Sequence, residues 1–160
     1  MDSLKLVDLA KLTTVLAQGL ITGTAYYITM VEVPARLALD MPLAVKSWKP
    51  CFNGAKNSQI FWSTFSMLGG FIVYYLEYGT PKECILWPIA SAMVVSIVPY
   101  TLIGMMPLNN QLVETQKCIE KGDRWIEGSL KKWGSLHAVR TVINLGAFGL
   151  MLYATFKSTK

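Results

Sequence analysis

Charged side chains are scarce in this sequence. Asp, Glu, Lys and Arg make up only 16% of its 160 residues, where a soluble domain carries about a quarter. Histidine is scarcer still: His137 stands alone, which gives haem ligation and histidine-based metal sites little support. The three cysteines, Cys51, Cys84 and Cys118, are an odd number without CxxC or Cys/His ligand spacing. That argues against a disulfide framework, a zinc site and a CxxC quinone-redox mechanism. There is no internal repeat, low-complexity tract or domain boundary.

Apolar runs are what the sequence has in abundance. Hydrophobic residues reach 52%, and four segments approach the roughly 20 residues that cross a bilayer as a helix. They are Leu9 to Val31, Ser58 to Gly79, residues 81 to 106 and Leu136 to Phe156. Apart from Lys11 and Arg140, their charges sit at the ends. The first is longer than a signal-peptide core and lacks an A-x-A-like cleavage site, so it reads as a retained span. The expected fold class is all-α: one integral membrane four-helix bundle, multi-pass, with both termini on one side. In a eukaryote an endomembrane such as the endoplasmic reticulum is the expected location. The net charge of +5 resides mainly in loops, where lipid headgroups rather than nucleic acid are the ordinary partner.

The connections differ in kind. In "GTPKE", residues 79 to 83, Gly79 ends the second helix, Thr80 caps the third, Pro81 starts it and Glu83 completes a capping box. Residues 32–59 carry three prolines and are expected to form short interfacial helices or a partial lid rather than one helix. In residues 107–135, a helix from Pro107 is expected to break at Gly122-Asp123, followed by an amphipathic interfacial piece carrying Trp125, Ile126, Leu130 and Trp133. Gly19, Gly23, Gly69, Gly70, Gly146 and Gly149 mark expected close helix contacts.

Two polar groups stand out against this background. In "LHAVRTVINLG", residues 136–146, His137, Arg140 and Asn144 share one face of the fourth helix, within about 60° of one another at 100° per residue. Lipid offers them no partner, so the face should turn inward, and intramembrane ionisable residues default to function. In "VPYTLIGMMPLNNQL", residues 98–112, Pro99 kinks the third helix and Tyr100, Thr101 and Asn109 follow. The third helix exits where the fourth enters, so Asn109 and His137 meet at one membrane face. For Asn144 and Thr101, interhelical glue is the competing reading. Most tryptophans and tyrosines read as belt and packing residues.

The sequence resembles the small four-helix membrane proteins that include fungal anthrone oxygenases. The resemblance rests on Pro99-Tyr100-Thr101, on Met105-Met106-Pro107-Leu108-Asn109 through Leu112, and on Trp133-Gly134-Ser135-Leu136-His137-Ala138-Val139-Arg140. It implies an oxygenase acting on a hydrophobic polycyclic phenol, with O₂ as co-substrate and no metal, flavin or haem. His137 is then the general base, since only an imidazole titrates near neutrality unperturbed. Arg140 stabilises the enolate oxygen, and Asn109 binds the substrate carbonyl or orients His137. Trp133 stacks on the ring system, with Thr101, Tyr100 and Asn144 as further substrate contacts. Two alternatives stay open: a non-enzymatic membrane subunit or scaffold, and a protein that binds or transports a hydrophobic ligand. So do a homo-oligomer and a membrane-complex partner.

Overall fold

The computed structural model describes residues 3–157. All regular structure among them is helical: α1 (Ser3–Tyr27), a π-helical segment (Ile28–Glu32), α2 (Val33–Leu37), α3 (Met41–Glu77), α4 (Leu86–Tyr100), a second π-helical segment (Thr101–Met105), α5 (Met106–Val113), α6 (Thr115–Glu120) and α7 (Asp123–Lys157). The four longest elements close on one another, α1 against α3 and α7, and α4 against α3 and α7.

Three stretches are long and apolar enough to cross a membrane: Leu6–Leu37, Leu86–Val113 and Asp123–Lys157. The 37-residue α3 has the length, but Ser, Thr, Trp and Tyr dilute the apolar content of its C-terminal half. The expected second span therefore falls below the hydropathy of the other three.

Proline breaks this chain less than expected. Pro34 and Pro107 both lie inside continuous helical runs, each two residues beyond a π-helical segment. A proline in an α-helix lacks the N–H for residue i−4 and its ring collides with that carbonyl. A turn widened to i→i+5 bonding relieves the clash, and the wider bonds are present at Val33 N–H to Ile28 O and Met106 N–H to Thr101 O. Such single π turns recur at functional sites.

The long connections are correspondingly more helical than the prolines and glycines predict. Residues 32–59 break only at 38–40, after which α3 runs from Met41 through Pro50 to Glu77. Pro42 falls in the first turn, where no N–H partner is needed, and Trp48 and Phe52 stack at 4.6 Å on either side of Pro50. Gly122, with φ of 86°, ends the α6 region as expected. The piece carrying Trp125, Ile126, Leu130 and Trp133 is no separate interfacial helix, however. It is the first third of α7, with Ile126, Leu130 and Trp133 buried.

The 79–83 turn is built much as expected, but the third helix starts later. Gly79 takes φ of 72°, and Glu83 reaches back to the Gly79 N–H at 2.8 Å rather than to Thr80. Thr80 Oγ1 accepts only the Lys82 N–H, and α4 begins at Leu86 instead of residue 81.

Two apolar cores follow. One gathers Trp48, Met105, Leu112, Ile126, Leu130 and Trp133; the other Val73, Trp87, Val94, Ala147 and Met151. Along α7 they flank His137, Thr141 and Asn144, all buried. Gly69 and Gly70 make the tightest approaches: a Cβ there would meet Thr14 Oγ1 and Ser91 Oγ, each at 2.2 Å. Gly146 and Gly19 are also close-packed, whereas Gly23 and Gly149 face open space. Lys11 is buried and pairs with Glu77 at 2.5 Å, so its charge inside the first apolar segment is neutralised from α3.

Candidate functional site

Beside the first core lies a cavity of about 270 Å³ bounded by the first π-helical segment, α3, α4, the second π-helical segment, α5 and α7. Its walls are mostly apolar, with Ile28, Trp48, Phe52, Ile97 and Met105 among them, and polar groups converge on it from several helices. Asn109, Trp133, His137, Arg140 and Thr101 all line it. Both π-helical segments contribute walls, through Ile28 and Glu32 and through Thr101, Leu102 and Met105.

His137 is 2% exposed and is held from two directions. Its ring lies against that of Trp133, centroids 5.1 Å apart, and its Nδ1 is 3.0 Å from Thr29 Oγ1. Its Nε2 has no hydrogen-bond partner among the described residues. Trp133 is fixed in turn by its indole N–H, which donates to Asn109 Oδ1 at 2.9 Å. Because an indole N–H can only donate, that bond settles the amide orientation of Asn109, whose NH₂ group has no hydrogen-bond partner among the described residues. Asn109 therefore positions Trp133, and reaches His137 only through it.

Arg140 brings a positive charge to the cavity, and no anion among the described residues balances it. Its Nη2 donates to the neutral Gln59 Oε1 at 2.9 Å, and its buried Nε has no partner among the described residues. The cavity's one carboxylate, on Glu32, is paired with Arg36. Thr101 adds a buried hydroxyl that is also unpartnered among the described residues. A guanidinium, a free amide NH₂ and a free imidazole nitrogen around an apolar hollow suit a flat, electron-rich ligand that carries oxygen.

Two expected site residues lie outside these walls. Tyr100 Oη donates to the Leu136 carbonyl at 2.9 Å, tying α4 to α7. Asn144 donates to the Arg140 carbonyl, accepts from Gln18 Nε2 at 3.1 Å, and shares a packed network with Thr22 and Ser66. Thr29, Thr141, Gln59 and Trp48 are additions. Thr141 shares the His137 face one turn on and was within reach of the periodicity argument; the others come from α1's continuation and α3, where nothing in the local pattern marks them. Among the described residues no group of three or more His, Cys, Asp and Glu side chains is placed to hold a metal ion.

Comparison with known proteins bears on these same residues. No solved structure matches the chain. The monooxygenase hypC of Dothistroma septosporum (strain NZE10 / CBS 128990) is 29% identical over 99 residues, 58% of this chain and 54% of the relative. The chain thus spans about half the length of the curated relative it matches. A family model described as anthrone oxygenase matches residues 48–150, from Trp48 through the whole polar face of α7. Since that match takes in well over half of the sequence, the chain belongs to the anthrone oxygenase family.

Proposed function

We propose that the chain is a four-span integral membrane oxygenase that converts an anthrone-type polycyclic phenol to a quinone without metal, flavin or haem. One observation carries the reading: the unbalanced guanidinium of Arg140 and the partner-free Nε2 of His137 belong to the same apolar cavity. At about 270 Å³, the hollow sits near the lower end of small-molecule sites, roughly 300 Å³. That suits one fused ring system rather than an extended ligand.

Membrane integration is supported by the outer surface. Leu9, Leu12, Leu16 and Leu20 on α1, Ile60, Phe61, Phe65, Leu68 and Ile72 on α3, and Val139, Val142 and Leu145 on α7 are all exposed. An apolar exterior over a core containing polar networks is the arrangement that lipid rewards. α3 carries this exterior as fully as the other three helices, so it is assigned as the remaining span. Ile60, Val98 and Leu102 belong both to this surface and to the cavity wall, which gives a lipid-dissolved substrate a way in between α3 and α4.

The chemistry asks little of the protein. The methylene opposite the anthrone carbonyl is acidic because its conjugate base is an extended aromatic enolate. His137 Nε2 takes that proton, while Arg140 and the Asn109 NH₂ hold the developing oxyanion. The anion passes one electron to O₂ and the two radicals combine. Protonation gives a hydroperoxide, which loses water and leaves the quinone: one O₂ enters, one oxygen stays and one departs as water. The scaffold alternative requires packing to close the polar face. That holds for Asn144 but not for His137 or Arg140.

The test is oxygen uptake by the purified chain in lipid nanodiscs with anthrone as substrate. One O₂ consumed per quinone formed, without added cofactor, is the expected result. His137→Gln should lower the rate by about 10²- to 10⁴-fold, the usual contribution of a general base. Uptake no faster than anthrone autoxidation in empty nanodiscs, or an undiminished His137→Gln rate, would overturn the proposal.

A further inference from the structure

Behind His137, away from the cavity, lies a line of short contacts. His137 Nδ1 is 3.0 Å from Thr29 Oγ1, which is 2.8 Å from Thr141 Oγ1, which is 3.0 Å from the Ala25 carbonyl oxygen. Each hydroxyl carries one proton, a carbonyl carries none, and a neutral imidazole has one N–H to place. Only one arrangement supplies a proton to all three contacts: Nδ1–H to Thr29, Thr29 to Thr141, and Thr141 to Ala25 O. If Thr29 instead donates to Nδ1, either the 2.8 Å or the second 3.0 Å oxygen–oxygen contact is left without one. Buried polar contacts of that kind are costly when unfilled.

We propose that Thr29 and Thr141 hold His137 in its Nδ1-protonated tautomer, leaving the Nε2 lone pair free toward the cavity. The role of Thr29 and Thr141 is positioning: they touch no substrate, and they decide which ring nitrogen can accept a proton. Thr29 lies in the first turn of the π-helical segment before Pro34, so the widened turn that accommodates the proline also presents the hydroxyl to α7. The tautomer stands on geometry alone; its catalytic meaning rests on the oxygenase reading above.

The chain's single histidine makes the tautomer directly observable. The chain, purified through a histidine-free tag and labelled with ¹⁵N-histidine, has one imidazole to report. In nanodiscs at mildly alkaline pH, the ¹⁵N spectrum should show a protonated Nδ1 and an unprotonated Nε2. Thr29→Val should shift the ring toward the Nε2-protonated form, and Thr29→Ser should retain the native spectrum. With an anthrone substrate, Thr29→Val should lower kcat by about tenfold to a hundredfold, the scale at which an imidazole's outer partner is felt. KM should change little, and Thr29→Ser should recover kcat. An Nε2-protonated wild-type ring, which needs no variant to detect, would overturn the proposal; so would a Thr29→Val protein with native spectrum and native kcat. An Nδ1-protonated ring in a protein that consumes no oxygen would support the relay while sinking the oxygenase reading. Full turnover from an Nε2-protonated ring would do the reverse.

Discussion

Trp133 lies nearly flat on His137, the ring planes inclined by 28° and the centroids 5.1 Å apart. The two are one helical turn apart on α7, so the stack is built into the helix. What fixes it is the indole N–H bond to Asn109 on α5. Trp48 meets the outer side of Trp133 edge-on at 5.7 Å and stacks on Phe52. The imidazole therefore ends a row of four rings, which leaves little freedom in its plane.

Removing the anchor of that row should be felt in both stability and substrate binding. Asn109→Ala strands the buried Trp133 N–H, at a cost of about 1–3 kcal/mol, and removes the amide donor from the cavity. A lowered unfolding midpoint in nanodiscs, followed by tryptophan fluorescence, is expected together with a raised KM. Asn109→Asp keeps the acceptor for the indole, so it should recover most of the stability but not the KM. If both variants unfold like the parent, Asn109 does not position Trp133.

Arg140 separates the oxygenase from a scaffold. A half-buried cation bound only to a neutral amide contributes little to folding, because its desolvation is not offset by an anion. Arg140→Met should therefore leave the unfolding midpoint within the equivalent of about 1 kcal/mol. Turnover should fall by about 10²- to 10³-fold, as when an oxyanion contact is lost. A scaffold in which Arg140 serves as interhelical glue predicts the opposite pair of results: a clear loss of stability and no turnover to lose.

Much of this site was legible in the sequence, for a definite reason. Helical periodicity places residues on a common face of one helix, which puts His137, Arg140 and Asn144 together. An antiparallel pair of helices then brings Asn109 to the same end. Periodicity does not say how far a face continues inward, so Asn144 joined the stripe although it belongs to the Gln18 network. Partners on other helices were beyond reach: Thr29 and Gln59 are ordinary polar residues in α1's continuation and α3, given meaning only by packing. Proline was over-read as a helix breaker, because widened turns before Pro34 and Pro107 absorb the strain locally.

The glycines give a prediction with opposite signs. Gly69 sits where a Cβ would lie 2.2 Å from Thr14 Oγ1, with Thr14 Cβ and Cγ2 also within 3.2 Å. Turning the threonine moves its Oγ1 but leaves its Cβ at 3.1 Å, so α1 and α3 must still give way. Gly69→Ala should cost about 1–3 kcal/mol as an overpacking defect. Gly149 has no neighbour within 4 Å, and Gly149→Ala should gain about 0.5–1 kcal/mol from helix propensity alone. Denaturant or thermal unfolding of the two variants side by side checks the contrast.

Cys51 offers a way to close the cavity chemically. It is exposed and lines the cavity wall, whereas Cys84 and Cys118 are buried. Burial also pushes the Cys118 thiol above its ordinary pKa, with Lys121 opposing in part, so near neutral pH it holds even less of the reactive thiolate than a free cysteine. A bulky maleimide should therefore attach once per folded chain, at Cys51, as read by intact mass. Attachment should abolish oxygen uptake with anthrone, and Cys51→Ala should be active and resistant to the reagent. Saturating anthrone should slow labelling of the parent protein if ligand and reagent compete for the same space. Full activity in a protein labelled stoichiometrically at Cys51 would mean that the substrate enters and reacts elsewhere.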